Sequence, residues 1–251
     1  MDRLIHTALN SLANLRDSRV IQAQNLANQT VPGFRRDLAN EGDPRFLKAL
    51  DEASARAFQT ERGPHSFSSL PGTMTQTGQP LDVAIAEEGW FYIQPDGGEP
   101  ALSRRGDLRL TADGQLVNGA GEAMLDQGLQ PIQLPPVRAL TIDDAGRITF
   151  EAQDAPEGQV TEGPVLATVI PQGVELRKSP DGRVRAGDAP LPAPDQRAKV
   201  LQGVLEASNV NTMEELVASI ELQRSFELNL RMISTAKELD ETGSRLLRPP
   251  E

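Results

Sequence analysis

Leu81-Asp-Val-Ala-Ile-Ala-Glu-Glu-Gly-Trp-Phe-Tyr-Ile93 is the stretch whose reading decides the fold. Leu81, Val83 and Ile85 alternate with small or polar residues, the two-residue period of a strand. Gly89 then breaks the chain before Trp90 to Ile93, an aromatic and β-branched run that suits a pleated surface. Further out, Leu108-Arg-Leu110, Arg147-Ile-Thr-Phe150, Val165 to Ile170 and Val174-Glu-Leu176 read as strands of the same kind. Asp96-Gly97, Asp113-Gly114, Asp144-Ala-Gly146 and Asp181-Gly182 lie between them. Each supplies a glycine free to take the positive φ of a tight hairpin. The middle of the chain is therefore expected to be an antiparallel all-β domain, a sandwich or a small barrel. With so few aromatic residues available, Trp90-Phe91-Tyr92 is expected in its core.

Both ends have the opposite character. Ile5, Ala8, Leu12 and Leu15 recur at spacings of three and four, the seam of a coiled coil, and Leu4 and Leu9 widen that face. The stripe fades at Arg19 and Gln22 and resumes at Leu26, and Pro32-Gly33 stops the helix. At the other end, Asn211 with Glu214, or Thr212 with Glu215, forms a capping box. Leu222, Phe226, Leu230 and Ile233 make one apolar stripe on the helix that follows. Met213, Leu216, Val217 and Ile220 make another, on a face rotated by roughly 100° or more. One straight helix thus has two apolar faces, and an assembly can cover both. The expected plan is α+β: N- and C-terminal helices forming a coiled-coil domain, with the β domain inserted between them. Its expected parts are 1–36, the N-terminal helix and turn; 37–80, an extended or irregular connector; 81–196, the β-rich outer domain; and 197–251, the C-terminal helix. Residues 44–58 fit a short helix or an extended segment equally well.

The 251 residues carry a formal net charge of −11, contain no Cys, and include two His, His6 and His65. An acidic chain without a basic cluster is a poor partner for phosphate backbones, so no nucleic-acid partner is expected. The absence of Cys excludes disulfides, thiolate chemistry and iron–sulfur clusters. No apolar run is long enough for a membrane span, and Met1-Asp-Arg-Leu-Ile5 does not open a continuous apolar signal segment. Charge is uneven: residues 1–36 hold five Arg against two Asp, and 197–251 hold seven Lys and Arg against nine Asp and Glu. The middle therefore carries most of the acidity and is expected to face outward.

Catalytic readings are thin. Glu87-Glu88 and Asp143-Asp144 could pair carboxylates for glycoside chemistry, but adjacent strand residues point to opposite faces and both pairs fit solvated turns. Asp143 to Glu151 has the outline of a calcium loop without acids at its third and fifth positions. No G-x-x-x-x-G-K or G-x-G-x-x-G occurs, so no nucleotide, cofactor or metal is expected, and no enzyme activity.

Several blocks, in order along the chain, resemble a known family. Asn25-Leu26-Ala27-Asn28-Gln29-Thr30-Val31-Pro32-Gly33-Phe34 resembles the N-L-A-N-x-x-T-P-G-F signature of flagellar rod and hook proteins. Arg104-Arg105-Gly106-Asp107 with Asp113-Gly114-Gln115-Leu116-Val117 resembles their first body hairpin. Gly203 to Ala207 followed by Ser208, Asn209, Val210 and Asn211 resembles the lead into their C-terminal helix. Val31, Leu108 and Thr212 depart from the pattern. The resemblance, nearest to the proximal rod, implies a structural subunit of the flagellar basal-body rod. Such subunits leave through the flagellar export apparatus without a cleaved signal and stack into a helical hetero-assembly across the periplasm. There they transmit torque to hook and filament, with proximal and distal rod subunits as partners. The expected assembly surface is the two helical stripes: Leu4, Ile5, Ala8, Leu9, Leu12, Leu15 and Leu26, with Met213, Leu216, Val217, Ile220, Leu222, Phe226, Leu230 and Ile233. Two alternatives stay open: a distal-rod or hook subunit, and a cell-wall glycan-binding or hydrolase module.

Overall fold

A computed structural model describes residues 2–38, 66–179, 181–187 and 189–246, with side chains outside 2–10, 239–241 and 243–246. Residues 44–58, His65, and the side chains of Leu4, Ile5, His6, Ala8 and Leu9 lie outside what is described. The chain divides into two compact units, one holding the helices, the other holding residues 28–36 and the strands.

Helix α1 spans Asp2–Ala27 and contains neither Gly nor Pro. It stops where the Val31 amide turns back to the Asn28 carbonyl at 3.1 Å and Pro32 can donate no hydrogen bond. Helix α2 spans Thr212–Leu246. Asn211 caps it: its Oδ1 accepts from the Met213 and Glu214 amides at 3.0 and 3.4 Å, and its Nδ2 donates to Glu214 Oε1 at 3.0 Å. Glu214 and Glu215 in the first turn complement the positive end of the helix dipole.

Among the described residues, the second unit holds fifteen strands. An eight-stranded sheet runs in the order β12(Leu176–Lys178), β13(Val184–Ala186), β4(Ala101–Ser103), β3(Trp90–Gln94), β7(Ala123–Met124), β6(Leu116–Asn118), β5(Leu108–Leu110), and β11(Thr168–Val169) also pairs with β3. β8(Val137–Ile142), β9(Arg147–Ala152) and β10(Val160–Val165) form an antiparallel meander. β14(Val200–Gln202) pairs with β2(Val83–Ile85), and β15(Val204–Glu206) with β1(Met74–Gln76), so the end of the body returns to its beginning. Strand β3 is buried on both faces. Phe91 and Ile93 enter one apolar cluster with Val83, Ile85, Leu116, Met124 and Ile148. Trp90 and Tyr92 enter a second with Leu102, Leu125, Val169 and Val184. Phe67 meets the Trp90 ring edge to face at 5.7 Å. Burying a large apolar side chain of this kind contributes about 1.5–3 kcal/mol, so β3 organises the body. The four Asp-Gly and Asp-x-Gly turns all hold their glycine at positive φ: 66° at Gly97, 81° at Gly114, 78° at Gly146 and 79° at Gly182.

The expected fold class needs correction. The terminal helices do not form a coiled-coil domain, whereas the inserted antiparallel β-rich domain is present. The described residues hold two helices and a chain dominated by strands in four sheets. Where the helices touch, the bonds are polar: Gln22 Nε2 donates to the Glu215 carbonyl at 2.6 Å, and Asn25 Nδ2 to the Glu215 carboxylate at 3.2 Å. The physical reason lies at the point where the stripe fades. Beyond Leu15 the inward positions carry amides, which need specific hydrogen-bond partners once buried and cannot interlock as an apolar seam does.

Candidate assembly surfaces and the buried lock

The helical unit is held at its base by amides and a carboxylate. Gln22, Asn25, Asp37 and Glu215 are all buried. Asn25 grips the backbone of Asp37 from both sides, its Nδ2 donating to the Asp37 carbonyl at 3.0 Å and its Oδ1 accepting the Asp37 amide at 2.8 Å. The same amide nitrogen reaches Glu215. Asn25 therefore acts as a bridge that a Leu or an Asp could not replace, because it donates and accepts at once.

The stripe residues divide by exposure. Leu12, Leu15, Leu26, Leu222, Phe226 and Ile233 are half-buried, whereas Met213, Leu216, Val217 and Ile220 are 72%, 48%, 58% and 62% exposed, and Leu230 is 47% exposed. Met213, Leu216, Val217 and Ile220 lie on the side of α2 opposite Glu215, at about 100° per residue. Four large apolar side chains within about two turns, each about half exposed or more, are an uncovered surface rather than scattered exposure.

Within the strand unit, residues 28–36 are anchored by a charged cluster. Glu206 on β15 is 1% exposed. Its carboxylate meets Arg35 Nη2 at 2.8 Å and Arg104 Nε at 2.7 Å, and accepts the Gly72 amide at 2.9 Å. Arg104 spends its remaining donors on backbone carbonyls: Nη1 on Glu87 and Gly89, both at 2.7 Å, and Nη2 on Ile85 at 3.2 Å. Arg35 Nη1 donates to the Leu70 carbonyl. Burial pushes the Arg35 guanidinium below its ordinary range; the Glu206 carboxylate pulls it back up, and the nearby Arg104 charge lowers it. The Lys178 ammonium lies 4.0 Å from the centre of the Phe34 ring and donates to the Arg35 carbonyl at 2.8 Å, a cation–π contact of the desolvated kind.

The motif residues close this cluster. The Gly33 amide donates to the Glu206 carbonyl at 2.7 Å. Gly33 has φ of 67°, and a Cβ there would stand 2.3 Å from the carbonyl carbon and oxygen of Arg104, so no other residue fits. Asn209 accepts the Arg36 amide on Oδ1 at 2.6 Å, donates Nδ2 to the Leu70 carbonyl at 2.7 Å, and gives its own amide to the Phe34 carbonyl at 3.2 Å. Ser208 Oγ accepts the Val210 amide at 3.2 Å, which shapes the approach to Asn211. Leu26, Ala27 and Asn28 end α1 and start the turn.

Sequence reasoning passed over Arg35 and Lys178, met Gln22 only as a break in the apolar stripe and Glu215 only as a candidate capping partner, and quoted Arg104 and Glu206 only inside longer blocks. The available signal was a lone acid in the apolar strand Val204-Leu205-Glu206-Ala207, which cannot face a core without a cation. The carboxylate pairs are ordinary. Glu87 and Glu88 are exposed, and Asp143 closes a turn by accepting the Ala145 and Arg147 amides at 3.0 and 2.8 Å. Among the described residues no three His, Asp or Glu stand close enough to hold a metal ion, and no helix is long and apolar enough to cross a membrane.

Comparison with known proteins agrees with this architecture. Residues 84–150 match the flagellar hook protein FlgE/F/G D1 domain, and residues 201–246 match the C-terminal region of the flagellar basal body rod FlgEFG proteins. The flagellar basal-body rod protein FlgF of Salmonella typhimurium is 29% identical over 98% of this chain and 99% of its own length. FlgF of Caulobacter vibrioides is 30% identical over 97% of each chain, and FlgF of Rhizobium meliloti 31% identical over 89% of this chain and 88% of its own. A β body that anchors its own N-terminal turn, and a C-terminal helix with an uncovered apolar face, are thus features of a chain that belongs to the FlgF family of flagellar basal-body rod proteins, the structural subunits of the rod.

Proposed function

We propose that this subunit polymerises with other rod subunits through its terminal helices, and that the resulting shaft carries motor torque across the periplasm to the hook and filament. The observation that supports this most is the exposed face of Met213, Leu216, Val217 and Ile220. About 1.5–3 kcal/mol is available from fully burying each such side chain. A monomer forgoes that gain, whereas a polymer collects it at every subunit. Contacts of this kind between non-identical patches generate open helical arrays. Delivery through the flagellar export apparatus without a cleaved signal, and a role without catalysis, belong to the same reading. So do Leu4, Ile5, Ala8 and Leu9 as part of the assembly surface.

The experiment is complementation. A bacterium lacking its own FlgF regains motility when given this chain, and the chain is recovered in isolated basal bodies. Met213→Glu with Val217→Glu loses both while the strand unit unfolds at the wild-type temperature. Motility restored in full by that variant would remove the exposed face from the assembly, and a wild-type chain absent from basal bodies would refute the reading itself. The alternative of a glycan hydrolase has less support. A groove of about 670 Å³ lies between Thr111–Gly114 and Gln133–Val137, but Asp113 is the one carboxylate in its wall, and glycoside hydrolysis needs two.

A further inference from the structure

We propose that the second apolar cluster of the strand unit is a polyproline-binding groove, filled here by the chain's own residues 189–195 and open to a proline-rich segment of another polypeptide when that strap lifts. The site belongs to the strand unit alone and stands apart from the rod reading. Pro190, Pro192 and Pro194 alternate with Ala189, Leu191, Ala193 and Asp195. Each ring fixes its own φ at about −65° and keeps the residue before it out of the helical region. The strap between β13 and β14 is therefore held extended, as polyproline II, with no internal hydrogen bonds. Beneath it, Leu191 packs against the cluster of Trp90, Tyr92, Leu125 and Val169. The Tyr92 hydroxyl donates to the Pro192 carbonyl. Recognition of polyproline uses contacts of these two kinds: an apolar side chain seated among aromatic rings, and a ring donor bonded to a carbonyl that the ligand backbone leaves unsatisfied. The Thr168 carbonyl closes one end, accepting the Asp195 and Gln196 amides at 3.0 and 3.3 Å.

The strap is held at a cost. Among the described residues, Leu129 and Gln196 are the two other than glycine with positive φ, 57° and 55°. Leu129 packs against the same cluster, and Gln196 ends the strap. A Cβ meets steric opposition in that conformation, and strain of this kind gathers at ligand clamps and switch regions. Gln196 Nε2 is also buried without a hydrogen-bond partner, although its Oε1 accepts from Thr168 Oγ1 at 3.1 Å. Lifting the strap releases the φ of Gln196 and returns its amide to water. A separate ligand that ends before that position keeps the Leu and Tyr contacts and carries neither penalty. The strap's own advantage is its tether, which sets an effective concentration on the order of millimolar. The partner this fits is an extended segment with a Pro-Leu-Pro core, which displaces the strap and repeats its contacts.

The probe is a synthetic peptide, Ala-Pro-Leu-Pro-Ala-Pro-Asp, copying residues 189–195. It is titrated into three full-length proteins: wild type, Leu191→Ser, and Leu191→Ser with Tyr92→Phe. Fluorescence of Trp90, the single Trp and part of the groove floor, reports binding. Leu191→Ser loosens the strap and leaves the groove intact, so it is expected to bind the peptide saturably and about tenfold more tightly than wild type, as a larger open fraction requires. Adding Tyr92→Phe is expected to weaken that binding about fivefold, through loss of one hydrogen bond. A peptide with Ser in place of Leu is expected not to bind. Amide exchange of the wild type is the second readout and needs no variant. The Asp195 and Gln196 amides are expected to exchange about a hundredfold faster than the Tyr92 amide, which donates to the Ala167 carbonyl at 3.0 Å, because the strap opens without the body. Equal protection of all three amides, no saturable binding to Leu191→Ser at ~1 mM peptide, equal affinity for wild type and Leu191→Ser, or indifference to Tyr92→Phe would each overturn the proposal. Self-association of the wild type that Leu191→Ser abolishes, with no peptide bound, would overturn it in favour of strap exchange between copies.

Discussion

Replacing Glu206 by Gln removes one charge and almost no volume, and it should be among the most damaging single changes in the strand unit. The carboxylate is 1% exposed and holds two guanidinium groups that are themselves buried, at 2.8 and 2.7 Å. Breaking one buried pair by removing a partner costs about 3–5 kcal/mol, because the remaining charge stays desolvated. Here two cations lose the same anion, and the Gln amide turns a donor toward one of them, so that range is a floor. For a unit of this size each kcal/mol moves the melting temperature by about 2–4 °C, which gives a fall of roughly 6–20 °C. The reporter is built in. Trp90 is the single Trp, and it lies in the second apolar cluster of the same unit. Its fluorescence during thermal or urea unfolding follows this body. A companion variant isolates the cause. Arg35→Met with Arg104→Met and Glu206→Leu removes all charge, a change that often restores stability in buried triads. It should not do so here, because Arg104 also satisfies the Ile85, Glu87 and Gly89 carbonyls, and each unpaired carbonyl costs about 1–3 kcal/mol. An unfolding midpoint for Glu206→Gln within about 2 °C of wild type, about 0.5–1 kcal/mol on the same scale, would show that the cluster is hydrated and the reasoning wrong.

Three further outcomes can be checked with the same reporter or by circular dichroism. Gly33→Ala combines the left-handed cost of about 1–2 kcal/mol with a collision against the Arg104 backbone, so its destabilisation should exceed the conformational term alone; a loss below 1 kcal/mol would mean that residues 28–36 do not dock as described. Asn211→Ala should cost about 1 kcal/mol of helix stability and fray the start of α2, read as reduced helicity, whereas Asn211→Asp should retain most of the cap. Burial, aided by the Asp195 carboxylate, pushes the Tyr92 hydroxyl up to about 12 from 10.0. The folded state thus holds its proton more tightly than the unfolded chain, so stability is intact below pH 10, falls as pH rises from 10 to 12, and does so less in Tyr92→Phe; equal slopes for the two proteins would refute this.

Some of this structure could be read from single residues because the physics involved is local. Asn211 caps α2 through bonds to residues two and three positions away. The glycines of the Asp-Gly turns have positive φ because no other residue takes it so cheaply. Trp90 to Ile93 is a strand buried on both faces, as a dense aromatic run without polar interruption suggests. What escaped depends on long-range pairing. Arg104 lies 102 residues from Glu206, and Asn209 is 139 from Leu70, so charge and amide identity carried no indication of the partner. The division into four sheets escaped for the same reason, since β14 and β15 pair with β2 and β1 across the whole body. The coiled-coil expectation failed differently. Its spacing rule was applied to Ile5 through Leu15, while the bonds that join the helices come from Gln22, Asn25 and Glu215, where the stripe had already faded.

The motif around Pro32-Gly33 acquires a mechanical meaning from these bonds. The strand leaving α1 and the strand approaching α2 are joined three times within a few residues: Gly33 to the Glu206 carbonyl, Asn209 to the Phe34 carbonyl, and Arg36 to Asn209 Oδ1. A single covalent strand swivels about its φ and ψ bonds, and a Gly/Ser-rich linker does so almost freely. Two strands cross-tied in this way can twist only by breaking several hydrogen bonds together. Pro32 fixes one φ, Gly33 has no room to move against Arg104, and the Arg35–Glu206–Arg104 cluster bolts the pair into the core. The stiffness is concentrated within the strand unit, where residues 28–36 run beside β15 and Asn209. The buried charge there, costly to a protein that needed only stability, is understandable as the means of holding one geometry of residues 28–36 against the strand core.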